Sequence, residues 1–130
     1  MADKTQLEVL KSGVSAWNEW RAANVGARPD LTAGHLLGLD LMGANLAQAD
    51  LRKADLRGTN FSDGVLIDAQ LDGANFFRTI LDRADLAGAS LIGAQSLTRD
   101  QLMAARNWQS AFRDPSLACG AAIPQDHDRS

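Results

Sequence analysis

The side chains in this sequence best suited to chemistry are its aspartates, and they are spread too evenly to converge on a site. Asp30 and Asp50 would form a like-charge pair that invites a cation, but Arg52 and Lys53 follow at once with positive charge of their own. Asp50, Asp55 and Asp85 recur at turn positions, where a carboxylate has a structural task. His35 as a metal ligand or general base has no second His or Cys near it in the chain, and the single Cys119 supports neither a disulfide framework nor a metal cluster. Catalysis needs a converging set of groups with tuned pKa values. No glycine-rich phosphate loop, no paired Cys/His ligands and no nucleophile–base arrangement occurs. The expectation is a chain without a catalytic residue, a cofactor or a metal. Recognition chemistry remains. Leu37, Arg57 and Phe77 follow one another at intervals of twenty, with Arg78 beside Phe77. Exposed aromatics flanked by arginine are enriched at interface hot spots. Surface apolar residues scattered singly need no such explanation, so Leu37, Arg57, Phe77 and Arg78 are candidates for binding a protein partner.

The elements that must position these residues show in one long stretch. From Leu31 to Leu91 a large apolar residue returns at every fifth position, through Leu36, Leu41, Leu46, Leu51, Leu56, Phe61, Leu66, Leu71, Phe76, Leu81 and Leu86. Two residues before most of them stands a small one, such as Ala49, Ala54 or Ala74, and between the two is usually Asp, Asn or Gln. A helix repeats near 3.6 and a strand at two, so neither explains this period. The repeat itself is the unit. A coil closing after four such units puts every large residue inside and stacks residues twenty apart. Successive coils then pair through their backbones at a strand-like spacing of about 4.8 Å. Stacking of this kind places Arg52 over Asp72, Asp63 over Arg83 and His35 over Asp55, mostly solvated ladders worth under ~1 kcal/mol each.

The pattern, seen in Ala49-Asp50-Leu51 and Ala74-Asn75-Phe76, resembles the pentapeptide-repeat family over residues 30–97. Departures are few: Leu39 stands at a small position, and Val65 and Ile80 stand at polar ones. The resemblance implies an all-β solenoid, a right-handed quadrilateral parallel β-helix, with helices capping its ends. It also implies a non-catalytic protein-interaction or scaffold module. A second implied reading is a DNA-mimicking protein of the kind that protects DNA gyrase from quinolones. Such mimics present a long, strongly acidic rod. Here Arg52, Lys53, Arg57, Arg78 and Arg83 interrupt the acidic columns. The rod would span roughly 15–20 Å at ~4.8 Å per coil, about half a turn of B-DNA.

Ahead of the coil, Thr5 to Asn24 reads as one capping helix, with Thr5-Gln6-Leu7-Glu8 as a capping box and Leu7, Leu10, Val14 and Trp17 on the apolar face. Its alternative role is a partner-binding helix with Trp20 and Arg21 as contacts. Residues 25–29 connect it to the coil. After the coil, Thr98-Arg99-Asp100-Gln101 is a second capping box, predicting a helix over Arg99–Asn107 that seats Leu102 and Ala105 on the last coil. In some relatives such C-terminal helices make a dimer. Leu102, Trp108 and Phe112 are therefore a candidate homodimer interface. The stretch 98–112 is the C-terminal cap, and 113–130 reads as loop, ending in a polar tail from Gln125 to Ser130. A net charge of −3 and a pI near 5.2 point to no direct nucleic-acid or anionic-membrane partner. Lacking an 18-residue apolar run and a signal-peptide core, the chain is expected in the cytoplasm.

Overall fold

The computed structural model describes residues 1–124, and the polar tail read at Gln125–Ser130 lies outside them. The coil winds as its period requires. Parallel bridges join Asp30 to Asp50, Asp50 to Gln70 and Gln70 to Ser90 on one face. His35, Asp55, Asn75 and Gln95 pair down a second, Asp40, Asn60 and Ile80 down a third, and Asn45, Val65 and Asp85 down a fourth. Each coil therefore takes twenty residues and four repeats. Among the described residues these are single bridges and not continuous strands, because a five-residue face spends most of its length turning.

The turning chemistry is the same at each corner. In Leu31 to Gly34, the Gly34 amide donates to the Leu31 carbonyl at 2.9 Å. The residue before the small one takes a left-handed conformation. Glycine does this at 38, 43, 58, 73, 88 and 93, but Lys53, Asp63, Arg78 and Arg83 also hold φ of 58–60°. A side chain there costs ~1–2 kcal/mol. The polar position supplies compensation: Asp30 accepts from the Thr32 amide at 3.2 Å, Asn60 from Ser62 at 2.9 Å and Asn75 from Phe77 at 3.0 Å. Where Ser90 replaces the usual acid, Asp72 from the preceding coil takes both the Ser90 hydroxyl and the Ile92 amide.

Inside, Leu51, Phe61, Leu71 and Phe76 are fully buried, with the small residues packed beside them. Thr59 and Thr79 occupy small positions without an unpaired hydroxyl, donating to the carbonyls of Leu36 and Leu56.

The N-terminal segment is two helices, α1 (Lys4–Ser12) and α2 (Val14–Ala23), where the sequence read one. Gly13, at φ 134°, breaks the helix and lets the halves fold against different faces. Asp3, not Thr5, caps α1, accepting from the Gln6 amide at 3.0 Å. Trp17 is wholly buried over the first coil.

At the other end the expected helix is shorter. α3 spans Arg99–Met103, and its capping box forms as read. Gln101 also donates to the Phe76 and Thr79 carbonyls at 2.7 and 2.9 Å, seating α3 where the third face of the fourth coil would lie. Helix then gives way to coil, because the edge of the third coil still needs partners. The Arg83 amide donates to Ala104 at 2.9 Å, Arg106 bridges Asp85, and Phe112 bridges Ser90. A helix continued to Asn107 would have left those edge groups unpaired.

Candidate functional site

The candidate column forms one corner of the coil. Leu37 and Gly38, Arg57 and Gly58, and Phe77 and Arg78 stack in three layers, locked in register by Gly38 donating to the Arg57 carbonyl and Gly58 to the Phe77 carbonyl, both at 2.9 Å. Gly38 and Gly58 are required by the turn, where both hold φ near 70°, and not by crowding, since a Cβ at Gly58 would make only ordinary contact with the Gly38 backbone at 3.8 Å. The result is a strip of bare backbone flooring a shallow groove of about 310 Å³, walled by Leu37, Arg57, Phe77 and Arg78.

The sequence reading treated Arg57 and Arg78 alike, as arginines flanking an exposed aromatic, and the structure gives them different surroundings. Arg57 is already engaged: Nε and Nη2 each lie 2.8 Å from an oxygen of Asp55, a bidentate pair two residues apart. The Arg57 hydrogen bonds hold the Asp55 carboxyl below the ordinary aspartate range against the opposing effect of burial, and the Arg57 pKa rises in turn. Arg78 has no ion pair among the described residues. Its guanidinium lies 5.4 Å from the centre of the Phe77 ring. Phe77 is nevertheless 51% exposed and Leu37 57%. The corner therefore offers two apolar contacts, one free cation over an aromatic face, and a second guanidinium held rigidly by its own carboxylate.

The other expected ladders divide. Arg83 does reach Asp63, at 2.8 Å. Arg52 turns instead to Asp50, two residues back in its own turn, at 2.7 Å, a choice Arg83 does not have because Leu81 stands at that position. That pairing, with Thr32 donating to Asp30 at 2.6 Å, leaves the Asp30–Asp50 pair compensated without an ion. Among the described residues no cluster of three metal-binding side chains occurs, and no helix is long and apolar enough to cross a membrane.

Residues proposed at the ends are largely committed within the chain. Trp20 stacks on Trp17 with ring centres 5.1 Å apart, and Arg21 donates to the Ala47 carbonyl at 3.0 Å. Leu102 is fully buried, so its surface is used by the fold and does not face outward. Trp108 and Phe112 are half-buried. Sequence reasoning missed Arg113, which stood as the first residue of a loop. Its side chain is buried and donates to a ring of backbone carbonyls while lying 5.3 Å over Trp108. Nothing in the local sequence flags it, because every acceptor is a main-chain oxygen.

A coil stepping by twenty residues, with Leu or Phe inward and Asp or Asn closing each turn, meets its counterpart in known families. The model for pentapeptide repeats matches eight copies over residues 30–63 and 69–95. The chain belongs to the pentapeptide-repeat family. Three solved members illustrate the range. HetL, a pentapeptide-repeat protein involved in heterocyst differentiation regulation in the cyanobacterium Nostoc sp. strain PCC 7120, is 29% identical over 62% of this chain, with a TM-score of 0.34. The chain spans about half of HetL's length, 48%. The pentapeptide-repeat protein alr5209 of Nostoc PCC 7120 is 25% identical, with 85% of this chain and 95% of that one covered and a TM-score of 0.44. Rfr23 of the cyanobacterium Cyanothece 51142 is 28% identical over 70% of this chain and 65% of its own, at a TM-score of 0.36. No curated protein is significantly similar. The coil assignment stands on the chain's own backbone pairing.

Proposed function

We propose that this chain is a non-catalytic protein-interaction module, a right-handed four-sided coil whose contact face is the corner of Leu37, Arg57, Phe77 and Arg78. One observation carries the reading: Phe77 stays half exposed although the fold buries every other phenylalanine more deeply, and the only free guanidinium of the corner lies over its ring. An exposed aromatic beside an unpaired arginine on a rigid floor supplies an anchor and an oriented donor at little ordering cost. The gyrase-directed mimicry reading loses support, since Asp50, Asp55, Asp63 and Asp85 each have an arginine within 4 Å and the columns carry mixed charge. Self-association through the C-terminal end would rest on Trp108 and Phe112 with exposed Met103, without Leu102.

The test is a quantitative pull-down from extract of the native host. The Phe77→Ala, Arg78→Ala double variant is expected to lose a partner that an Asp68→Ala control retains. Retention of every partner by the double variant refutes the corner as the contact. Loss only in Trp108→Ala transfers it to the C-terminal end.

A further inference from the structure

The N-terminal end of the coil is closed on two faces and open on two. Within the coil, each layer receives three backbone bonds per face from the layer before it. On the second face, for example, Leu36 donates to the Asp55 carbonyl, Gly38 to the Arg57 carbonyl, and Asp55 to the Gly34 carbonyl, at 2.9–3.0 Å. The first coil has no preceding layer, so side chains and the α1 start stand in for it. On the first face the Asp3 amide donates to the Asp30 carbonyl at 2.8 Å and Gln6 accepts from the Asp30 amide at 2.7 Å, which leaves the Thr32 carbonyl as that face's one group without a partner among the described residues. On the fourth, Asn18 accepts from the Asn45 amide and Trp17 donates to the Asn45 carbonyl, both at 2.8 Å, while Arg21 takes Ala47. On the second and third faces, the amides of His35 and Asp40 and the carbonyls of His35, Leu37, Asp40 and Met42 have no partner among the described residues.

We propose that this half-edge receives an extended segment of a partner protein, running parallel to residues 35–42 and adding a partial layer to the coil. Six unpaired groups recur in the order that each inner layer satisfies, so the complement is a backbone, not a side-chain ligand. A second copy stacked coil on coil does not fit. The α1–α2 pair covers the other half of the same end, and a helix stands about 10 Å thick where one added layer needs about 4.8 Å. A single extended chain fits that step. Its entry is marked by an apolar groove of about 190 Å³ between α1 and the coil, lined by Leu7, Ala33, Gly34 and His35. Leu37 and Met42, both exposed, flank the open stretch. The matching segment carries an apolar residue at its start and a glycine or asparagine where it rounds the corner over Gly38, since every layer below turns there in the left-handed region or on glycine.

The experiment pans random dodecapeptides displayed on phage against the immobilised full chain and follows the strongest peptide by amide hydrogen exchange. Bound peptide is expected to slow the His35 and Asp40 amides by at least about tenfold while leaving the Phe77 amide unchanged. N-methylation of alternate peptide amides is expected to weaken binding by at least about tenfold. The Phe77→Ala, Arg78→Ala variant should bind the peptide as the wild type does, which separates this edge from the corner site. Failure to enrich any peptide overturns the proposal, as does equal binding by the N-methylated form or protection confined to the Phe77 corner. Slow His35 and Asp40 exchange in the free protein at dimer mass overturns it in favour of a second copy.

Discussion

Arg113 is the sharpest place to test how the C-terminal end is held. The residue is 2% exposed. Its Nε lies 2.7 Å from the Leu117 carbonyl, Nη1 lies 2.7 Å from Ala111 and 3.2 Å from Trp108 and Gln109, and Nη2 lies 3.2 Å from Ala118. No carboxylate pairs with it among the described residues, so main-chain dipoles and the Trp108 ring carry the compensation. Burial accordingly lowers its pKa, though it stays charged at any ordinary pH. Lysine in its place keeps the charge but has three protons in a compact cone, against five in a planar fork. With Ala121 at 3.5 Å the guanidinium serves six carbonyls; at least two of them then lose a donor, at ~1 kcal/mol each, and the guanidinium–indole contact goes too, at about another 1 kcal/mol.

Arg113→Lys is therefore expected to cost ~3 kcal/mol, and Arg113→Ala more. An unfolding entropy of ~2.1 cal/mol/K per residue makes this a fall in Tm of about 11 °C for a chain of 130 residues. Calorimetry measures it directly. Because solenoids can open from an end, exchange at the Ala111 and Phe112 amides should rise before the amides of the second coil do. An Arg113→Lys protein melting within about 2 °C of the wild type, with those amides still protected, refutes the reasoning.

Three further outcomes follow from the coil. Phe76→Ala removes a fully buried ring and is expected to cost ~3–5 kcal/mol by urea titration; a loss under ~1 kcal/mol would mean the interior collapses around the gap. Arg78→Gly relieves a left-handed side chain at φ 60° and should raise stability by ~1 kcal/mol, with no gain indicating that the stack on Phe77 offsets the strain. Acid should weaken the fold: burial is the largest effect on the Asp50 carboxyl and pushes it up, but the hydrogen bonds and charge of Arg52 with the Thr32 hydroxyl together bring it below the ordinary aspartate range, and the hydrogen bonds of Arg57 and Arg83 hold Asp55 and Asp63 below it as well. These carboxylates bind protons less readily when folded, so their stabilisation is complete above the unfolded pKa of ~4 and is lost as pH falls through their folded values; Tm should be level from pH 8 to 5 and drop below about pH 4, and a Tm maximum at pH 3 would contradict the pairing.

The coil was legible because one period recorded its whole geometry. Inward Leu or Phe, the small neighbour and the Asp or Asn that closes each turn are local choices repeated often enough to be read without knowing the fold. The candidate corner was legible for the same reason, since residues twenty apart had to stack. What the period did not carry was how a side chain divides itself between two neighbours. Arg57 chose Asp55 within its own turn, and Arg52 chose Asp50 over Asp72. The ends were less legible still, because their side chains answer to backbone groups that no sequence pattern names. The Gln6 side chain serves Asp30 while its amide stays in the α1 cap, Gln101 serves Phe76 and Thr79, and Arg113 collects carbonyls alone.

The two ends solve one physical problem by different means. A coil of stacked backbone presents unpaired amides and carbonyls at each terminus, the condition that makes edge strands prone to add further chains. At the C-terminal end the chain itself continues the pairing through Ala104, Arg106 and Phe112 after the α3 detour, so the closure is made largely of main chain. At the N-terminal end it is made mostly of side chains from Gln6, Trp17, Asn18 and Arg21, reaching two faces of four. Side-chain caps tie up long rotamers for each bond formed, whereas an added backbone layer supplies three bonds per face from one ordered segment. An incomplete side-chain cap is thus the arrangement that a further strand can extend without displacing anything. The asymmetry is the reason the proposed backbone recognition belongs to the N-terminal end, while the proposed side-chain anchors, Phe77 and Arg78, belong to the corner two layers below it.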